Sequence, residues 1–512
     1  MSTPFDPTQL PNPLAGQVPG SAPDPVYNPM TNPVPHSSPA LRPAWAPSGN
    51  PYVVAAPPAK MKPASNRTGL VATVVLLSVA LIAVVGVVVW QWSSSSAAPP
   101  QITTTPSPPP SESPSSPAST NAPVTPDPGW IATMCGSKWD IFTDVVVTGS
   151  GKILAVGKTK SFDHDFEGLL DVGQLRGDTA GVIAMFDSDG ELVSIELFPD
   201  MAFYAAVTAP DGTVYIGGTE LVDGNPKRIY LRRVTADGQF LMESWKNKIL
   251  DEQVTRIAGL KANPDNSVLA YGDFEAGDHF IAYFKTDSTL ISAFKVTNVA
   301  VTDFVKDSQG NIYIVGTESI DNVKTPEVIV KYSSRGEMLS RTAFFNDETY
   351  KFFSIAVTKT GVVVVGETSA WYGSQSHRPD SDINALLYEV DFSGNTKITQ
   401  SYGGSGPVFF TSVEVGKDGS FFVTGSTNSK DGDFPYLHGG SPTGNDAFVA
   451  KISSDGTVEW FEVFGGSELD QLHSLAITDT GVVAAGVYYS SNGNLPQSCG
   501  DGDLLLVSIP RK

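Results

Sequence analysis

Beyond residue 160 the chain crowds carboxylates, imidazoles and aromatic rings into three short stretches. The first holds Asp163, His164 and Asp165, the second Trp371, Tyr372, His377 and Arg378, and the third Asp433, Tyr436 and His438. Aromatic faces beside carboxylates suit a sugar or a peptide, because rings stack on apolar surfaces while charged groups take up hydroxyls and amides. Asp163, His164 and Asp165 also offer oxygens and a nitrogen to a metal ion. A calcium loop needs a fuller, regularly spaced carboxylate set, so no cofactor is predicted and Ca2+ stands as the one metal alternative. Nothing in the sequence reads as a nucleophile elbow or a zinc ligand set, so no catalytic residue is assigned.

The elements that must carry these stretches repeat. Gly157, Gly218, Gly272, Gly316, Gly366, Gly425 and Gly486 recur at intervals of 61, 54, 44, 50, 59 and 61 residues. Each follows an apolar run, a tight turn and a short β-branched run. In four copies the turn carries a glycine six residues earlier, Gly151, Gly212, Gly310 and Gly419; in the third copy Asn266 stands there, a residue that also tolerates the left-handed backbone such a turn needs. In the fifth and seventh copies the glycines, Gly361 and Gly481, lie one residue closer. The runs between the two landmarks are read as second, inner strands, and they are almost wholly apolar. Third strands follow at 180–186, 228–234, 327–332, 384–390 and 446–452, with a fourth such as 457–464. Seven units of four antiparallel strands predict an all-β, seven-bladed β-propeller. The loops between second and third strands are long and irregular, so binding is expected on the face they share.

The chain ends predict how the ring closes. After the third strand of the last unit, 503–509, the sequence stops, and residues 130–140 align with the fourth-strand segment 460–470. The N-terminal strand should therefore complete the last blade. The chain has two cysteines, Cys135 at the end of that borrowed strand and Cys499 just before its partner strand. A disulfide between them is predicted, at the ring's only open seam.

Residues 70–92 form an uncharged apolar stretch long enough to span a bilayer, ending in Trp90 and Trp92. Lys60, Lys62 and Arg67 precede it, which predicts a single-pass transmembrane helix with residues 1–66 cytoplasmic and the propeller, 130–512, extracellular. Of 39 prolines, 28 lie before Trp130. Residues 1–66 thus read as a disordered proline-rich tail and 93–129 as a Pro/Ser/Thr-rich stalk. After position 92 the chain holds 29 basic and 52 acidic residues, a net charge of −23 that argues against nucleic acid as a partner.

The sixth unit carries a resemblance. It runs from Gly403, Gly404 and Ser405 through Asp418 and Gly419, Asp433 to Pro435, and Asp446 to Lys451, and on to Asp455, Gly456 and Trp460 before Gly465, Gly466 and Ser467. This is similar to the bacterial SBBP-type β-propeller repeat family. The resemblance implies a propeller on a bacterial cell surface and implies no activity; within it, Asp433 and its neighbours have a strand-ending role as the alternative to a binding one. The combined expectation is a binding or scaffolding module for a protein or cell-envelope glycan on the long-loop face. The alternative is an envelope carbohydrate-active hydrolase or lyase, which would need carboxylates converging on the central channel.

Overall fold

The computed structural model describes residues 129–246, 248–319, 325–344, 349–369, 383–434 and 444–510. Among them stand seven antiparallel sheets, arranged as the blades of a ring. Blades 1 to 6 occupy residues 140–199, 201–246, 248–296, 299–344, 350–402 and 408–464. Blade 7 joins the three strands of 471–510 to Trp130–Met134, which pairs antiparallel with Asp503–Pro510 from Trp130↔Ser508 to Met134↔Leu504. Cys135 and Cys499 are disulfide-bonded, with 5.5 Å between their Cα atoms. Both closure expectations are met. The 70–92 span, the tail and the stalk lie outside the described residues; among the described residues no helix is long and apolar enough to cross a membrane.

Period-2 alternation explains the packing. Ile153 and Ala155 of blade 1 pack toward blade 7, against Val483, Ala485, Leu504 and Leu506. Their alternates Leu154 and Val156 pack toward blade 2, against Met201, Phe203, Val214 and Ile216. The same division recurs at all seven blade interfaces, each filled by its own apolar cluster. Apolar second strands are therefore demanded by burial on both faces rather than by a position at the axis.

One correction follows. The strand nearest the axis is the first of each blade, not the second: the sheets run in the order first, second, third, fourth, and neighbouring blades meet along their first strands. These innermost strands are Asp140–Val147, Met201–Thr208, Glu252–Ala262, Val299–Lys306, Tyr350–Val357, Val408–Val415 and Gln471–Ile477. All seven carry a β-bulge, centred on Thr143, Tyr204, Ala258, Thr302, Phe353, Thr411 and His473.

The bulge accounts for the repeating glycine. Opposite the residue before each bulge lies one of the seven landmark glycines, for example Phe142↔Gly157 and Leu472↔Gly486. A Cβ at these glycines would come within 1.9 to 2.3 Å of a first-strand carbonyl oxygen, so any side chain would drive the two strands apart. Bulges re-aim side chains; here Thr143 and Thr411 donate to the Phe203 and Leu472 carbonyls of the next blade.

The turn expectations hold with one refinement. Gly151, Gly212, Gly310 and Gly419 have φ between 82° and 88°, and Asn266 has φ 63°. Gly361 and Gly481 instead begin their second strands, where a Cβ would lie 1.9 and 2.0 Å from the carbonyl oxygens of Val390 and Ile509.

Candidate functional site

The described loop residues form a clamp. In the loop after the second strand of blade 1, Asp163 accepts the Ser137 N–H at 2.9 Å and Asp165 the Cys135 N–H at 2.8 Å. In blade 6, Asp431 accepts from Ser405 N–H at 2.5 Å and Asp433 from Gly403 N–H at 2.9 Å. In blade 7, Asn492 and Asn494 do the same for Ser467 and Gly465, at 2.8 and 2.9 Å. The second Asx of each pair returns its own N–H to the carbonyl of Cys135, Gly403 or Gly465. A buried apolar residue follows, Phe166, Phe434 or Leu495.

Each clamp thus ties the link that leaves one blade to the loop of the next. It satisfies backbone donors that have no ladder partner. Asp163, His164, Asp165 and Asp433 sit in this device, in two separate loops. Trp371, Tyr372, His377, Arg378, Tyr436 and His438 lie outside the described residues.

The channel holds what the apolar second strands concealed. Asp144 and Asp303 stand one residue past the bulge in blades 1 and 4; Lys261 and Glu414 stand two residues further along in blades 3 and 6. All four are half-buried and interact electrostatically across the axis. Burial pushes the Glu414 carboxyl up, Lys261 opposes this, and the charges of Asp303 and Asp144 add to it. Burial disfavours the Lys261 ammonium, yet Asp303, Glu414 and Asp144 outweigh it and raise its pKa.

The two aspartates bind blades together. Asp144 accepts from Val145 N–H at 2.8 Å and Ser474 Oγ at 2.5 Å on one oxygen, and from Ala206 N–H at 2.8 Å on the other. It therefore spans blades 7, 1 and 2. Asp303 likewise accepts from Phe304 N–H, and from Ser354 Oγ and Ile355 N–H of blade 5. The side chains of Glu414 and Lys261 make no hydrogen bond among the described residues and act on each other through their charges.

Nearer the long-loop end of the innermost strands lies a second group, aromatic and cationic. Tyr204 occupies the bulge of blade 2. Lys158 Nζ lies 5.7 Å from the centre of its ring and 4.9 Å from that of Trp139, and the Arg256 guanidinium lies 5.4 Å from the Tyr204 ring. Trp139 Nε1 donates to Tyr489 Oη at 2.9 Å. Arg256 pairs with Asp273, which also meets His279 Nδ1 at 2.8 Å, and His279 Nε2 accepts from Val301 N–H. His279 is thus held by hydrogen bonds on both ring nitrogens.

Lys158 is 8% exposed. Burial, with the charges of Lys160 and Arg256, brings its ammonium down to about 7. His473, at the bulge of blade 7, has an Nε2 without a hydrogen-bond partner among the described residues; burial lowers its pKa to about 4.

The group draws on blades 1, 2, 3 and 7. Aromatic rings beside two basic side chains have the chemistry to meet sugar faces and acidic or hydroxyl groups. Sequence reasoning missed both groups because it looked for them on the wrong strand. The legible signal was the residue four places after the start of the first strand in blades 1, 4 and 5, where Asp144, Asp303 and Ser354 interrupt the apolar pattern. A surface cleft of about 210 Å³ between blades 2 and 3, lined by Asn225, Lys227, Gln253 and Glu275 among others, lies apart from both groups.

No family model matches the chain, and no curated protein matches it. Among solved structures it is similar to the β-propeller domain of the Trilobed protease from Pyrococcus furiosus, described as having an open velcro topology. The two are 11% identical, with a TM-score of 0.40, over 68% of this chain and 92% of that one.

Proposed function

We propose that this chain is a membrane-anchored propeller of the SBBP type, held outside a bacterial cell by the 70–92 span, that binds a protein or cell-envelope glycan as a binding or scaffolding module. The contact is the long-loop face with the Trp139, Tyr204 and Lys158 group at its centre. The observation that carries this reading is the use of the loop carboxylates. Asp163, Asp165, Asp431 and Asp433 spend oxygens on backbone N–H groups, which suits a rigid platform better than an acid–base pair. The aromatic group then supplies the contact surface.

A specific observation favours the second reading. Glu414, raised by burial and by neighbouring carboxylates in the channel, has the environment of a proton donor. A hydrolase or lyase acting on envelope carbohydrate is therefore the alternative.

One experiment separates the two. The full-length protein in detergent is presented with immobilised envelope polysaccharides and with envelope extract, measuring retention and released reducing ends. Retention without release, lost in the Trp139→Ala/Tyr204→Ala variant, supports the binding module. Release of reducing ends that vanishes in Glu414→Gln supports the enzyme. Retention unchanged in the double variant removes the aromatic group from the account.

A further inference from the structure

The seam of the ring holds three metal-binding side chains that the sequence keeps far apart. Sγ of Cys135, Sγ of Cys499 and a ring nitrogen of His164 all lie within 4.8 Å of one another. His164 is exposed and the cysteines are half-buried, so the group is open to solvent.

His164 is an unusual residue for its position. The clamp loops of blades 6 and 7 place Gly432 and Gly493 there, with φ 78° and 83°, whereas His164 adopts φ 51°. A side chain in this region is disfavoured by about 1–2 kcal/mol. Of the three clamps, the one carrying a side chain there is the one that touches a disulfide, and that side chain is an imidazole.

The two sulfurs are also held in place by more than their own bond. Cys135 N–H donates to Asp165 and Cys499 N–H to Asp503 at 2.9 Å, while Asp503 accepts Gly136 N–H through its other oxygen. Five residue pairs join the borrowed strand to its neighbour. Breaking the S–S bond therefore leaves both thiols beside His164, in surroundings made negative by Asp163, Asp165 and Asp503.

We propose that the seam carries a second, metal-ion staple: once the disulfide is reduced, the Cys135 and Cys499 thiolates and the His164 imidazole bind Zn2+. Reduction by a dithiol delivers two electrons and two protons, breaks the S–S bond and leaves two thiols, with the reductant becoming a disulfide. Coordination of Zn2+ then displaces one proton from each thiol, and neutral His164 supplies a nitrogen lone pair. Two thiolates and an imidazole are three of the four positions that zinc fills. The ring is thereby closed by a covalent cross-link when oxidised and by a coordinate one when reduced.

The test uses the purified full-length chain, reduced with a non-chelating phosphine and probed with Co2+ alone. The expected result is one equivalent of bound cobalt with thiolate-to-metal charge-transfer absorption, displaced by Zn2+, and a Zn2+-dependent rise in the Tm of the reduced protein. His164→Gly adopts the residue already used in the two sister loops, so it folds and still forms the disulfide. It should weaken metal binding by at least about tenfold, the loss that outer partners of a metal site already cause. Cys135→Ser should abolish the absorption. Absence of the absorption in the reduced protein, whether folded or opened at the seam, overturns the proposal. Equal cobalt affinity in His164→Gly overturns it as well.

Discussion

His164 and Gly432 occupy the same turn in two copies of one loop, the first with φ 51° and the second with φ 78°. Each stands between two Asx residues that receive N–H groups from the preceding link. The equivalence makes the two positions comparable despite a separation of more than two hundred residues. They differ in what a Cβ meets: at Gly432 it would lie 2.0 Å from the Gly403 carbonyl oxygen.

Substitution should therefore be asymmetric. Gly432→Ala combines left-handed strain with that overlap and is expected to cost about 2–3 kcal/mol. His164→Gly exchanges relieved strain for added unfolded-state entropy and should stay within about 1 kcal/mol of the parent. Urea denaturation of the oxidised proteins reads both. A Gly432→Ala protein as stable as the parent would show that the clamp does not constrain the loop.

Asp144 receives three donors on two oxygens. In Asp144→Asn, either orientation of the amide points an NH2 group at a backbone N–H, so at least one donor is left unpaired in the channel wall. The expected loss is about 2 kcal/mol. Ser474→Ala removes only one of these bonds and should cost less. The order of the two midpoints in chemical denaturation checks the argument.

Removing the disulfide by Cys499→Ser should cost about 2–5 kcal/mol through the freer unfolded chain. The fold should persist, because strand pairing and Asp503 hold the seam apart from the sulfurs. Near-ultraviolet circular dichroism of the variant at low temperature should match the parent, with a lower Tm. A variant that loses its tertiary signal would place the whole closure in the covalent bond.

The Lys158 ammonium is brought from its ordinary 10.5 to about 7 by burial first, then by Lys160 and Arg256. The unfolded chain thus binds more protons than the native one between about pH 7 and 10.5. Stability rises with pH across that window, and the cost of the buried charge is fully present below it. Lys158→Met should remove this contribution. The difference in unfolding free energy between variant and parent should favour the variant at pH 7 and shrink toward pH 10. A difference independent of pH would mean that Lys158 is charged throughout.

The propeller was legible from short-range constraints. Tight turns need a left-handed residue, so Gly151, Gly212, Asn266, Gly310 and Gly419 mark them. Second-strand glycines lie under a first-strand carbonyl, so they recur once per blade. The borrowed strand was legible because residues 130–140 repeat the pattern of 460–470, and with it the pairing of Cys135 and Cys499.

The sites were not legible in the same way. Asp163 and Asp165 look like ligands in sequence, and only contact with Cys135 and Ser137, across more than twenty residues, makes them a clamp. Asp144, Lys261, Asp303 and Glu414 are scattered over four repeats and meet because the first strands, not the second, surround the axis. Cys135, His164 and Cys499 have no metal-site spacing, since their approach depends on ring closure.

By itself, the sequence determined blade number, the turns within each blade and the position of the seam, because steric and hydrophobic requirements act on residues close together in the chain. Only the tertiary structure decided which polar groups meet, because those encounters are set by the geometry of a closed ring.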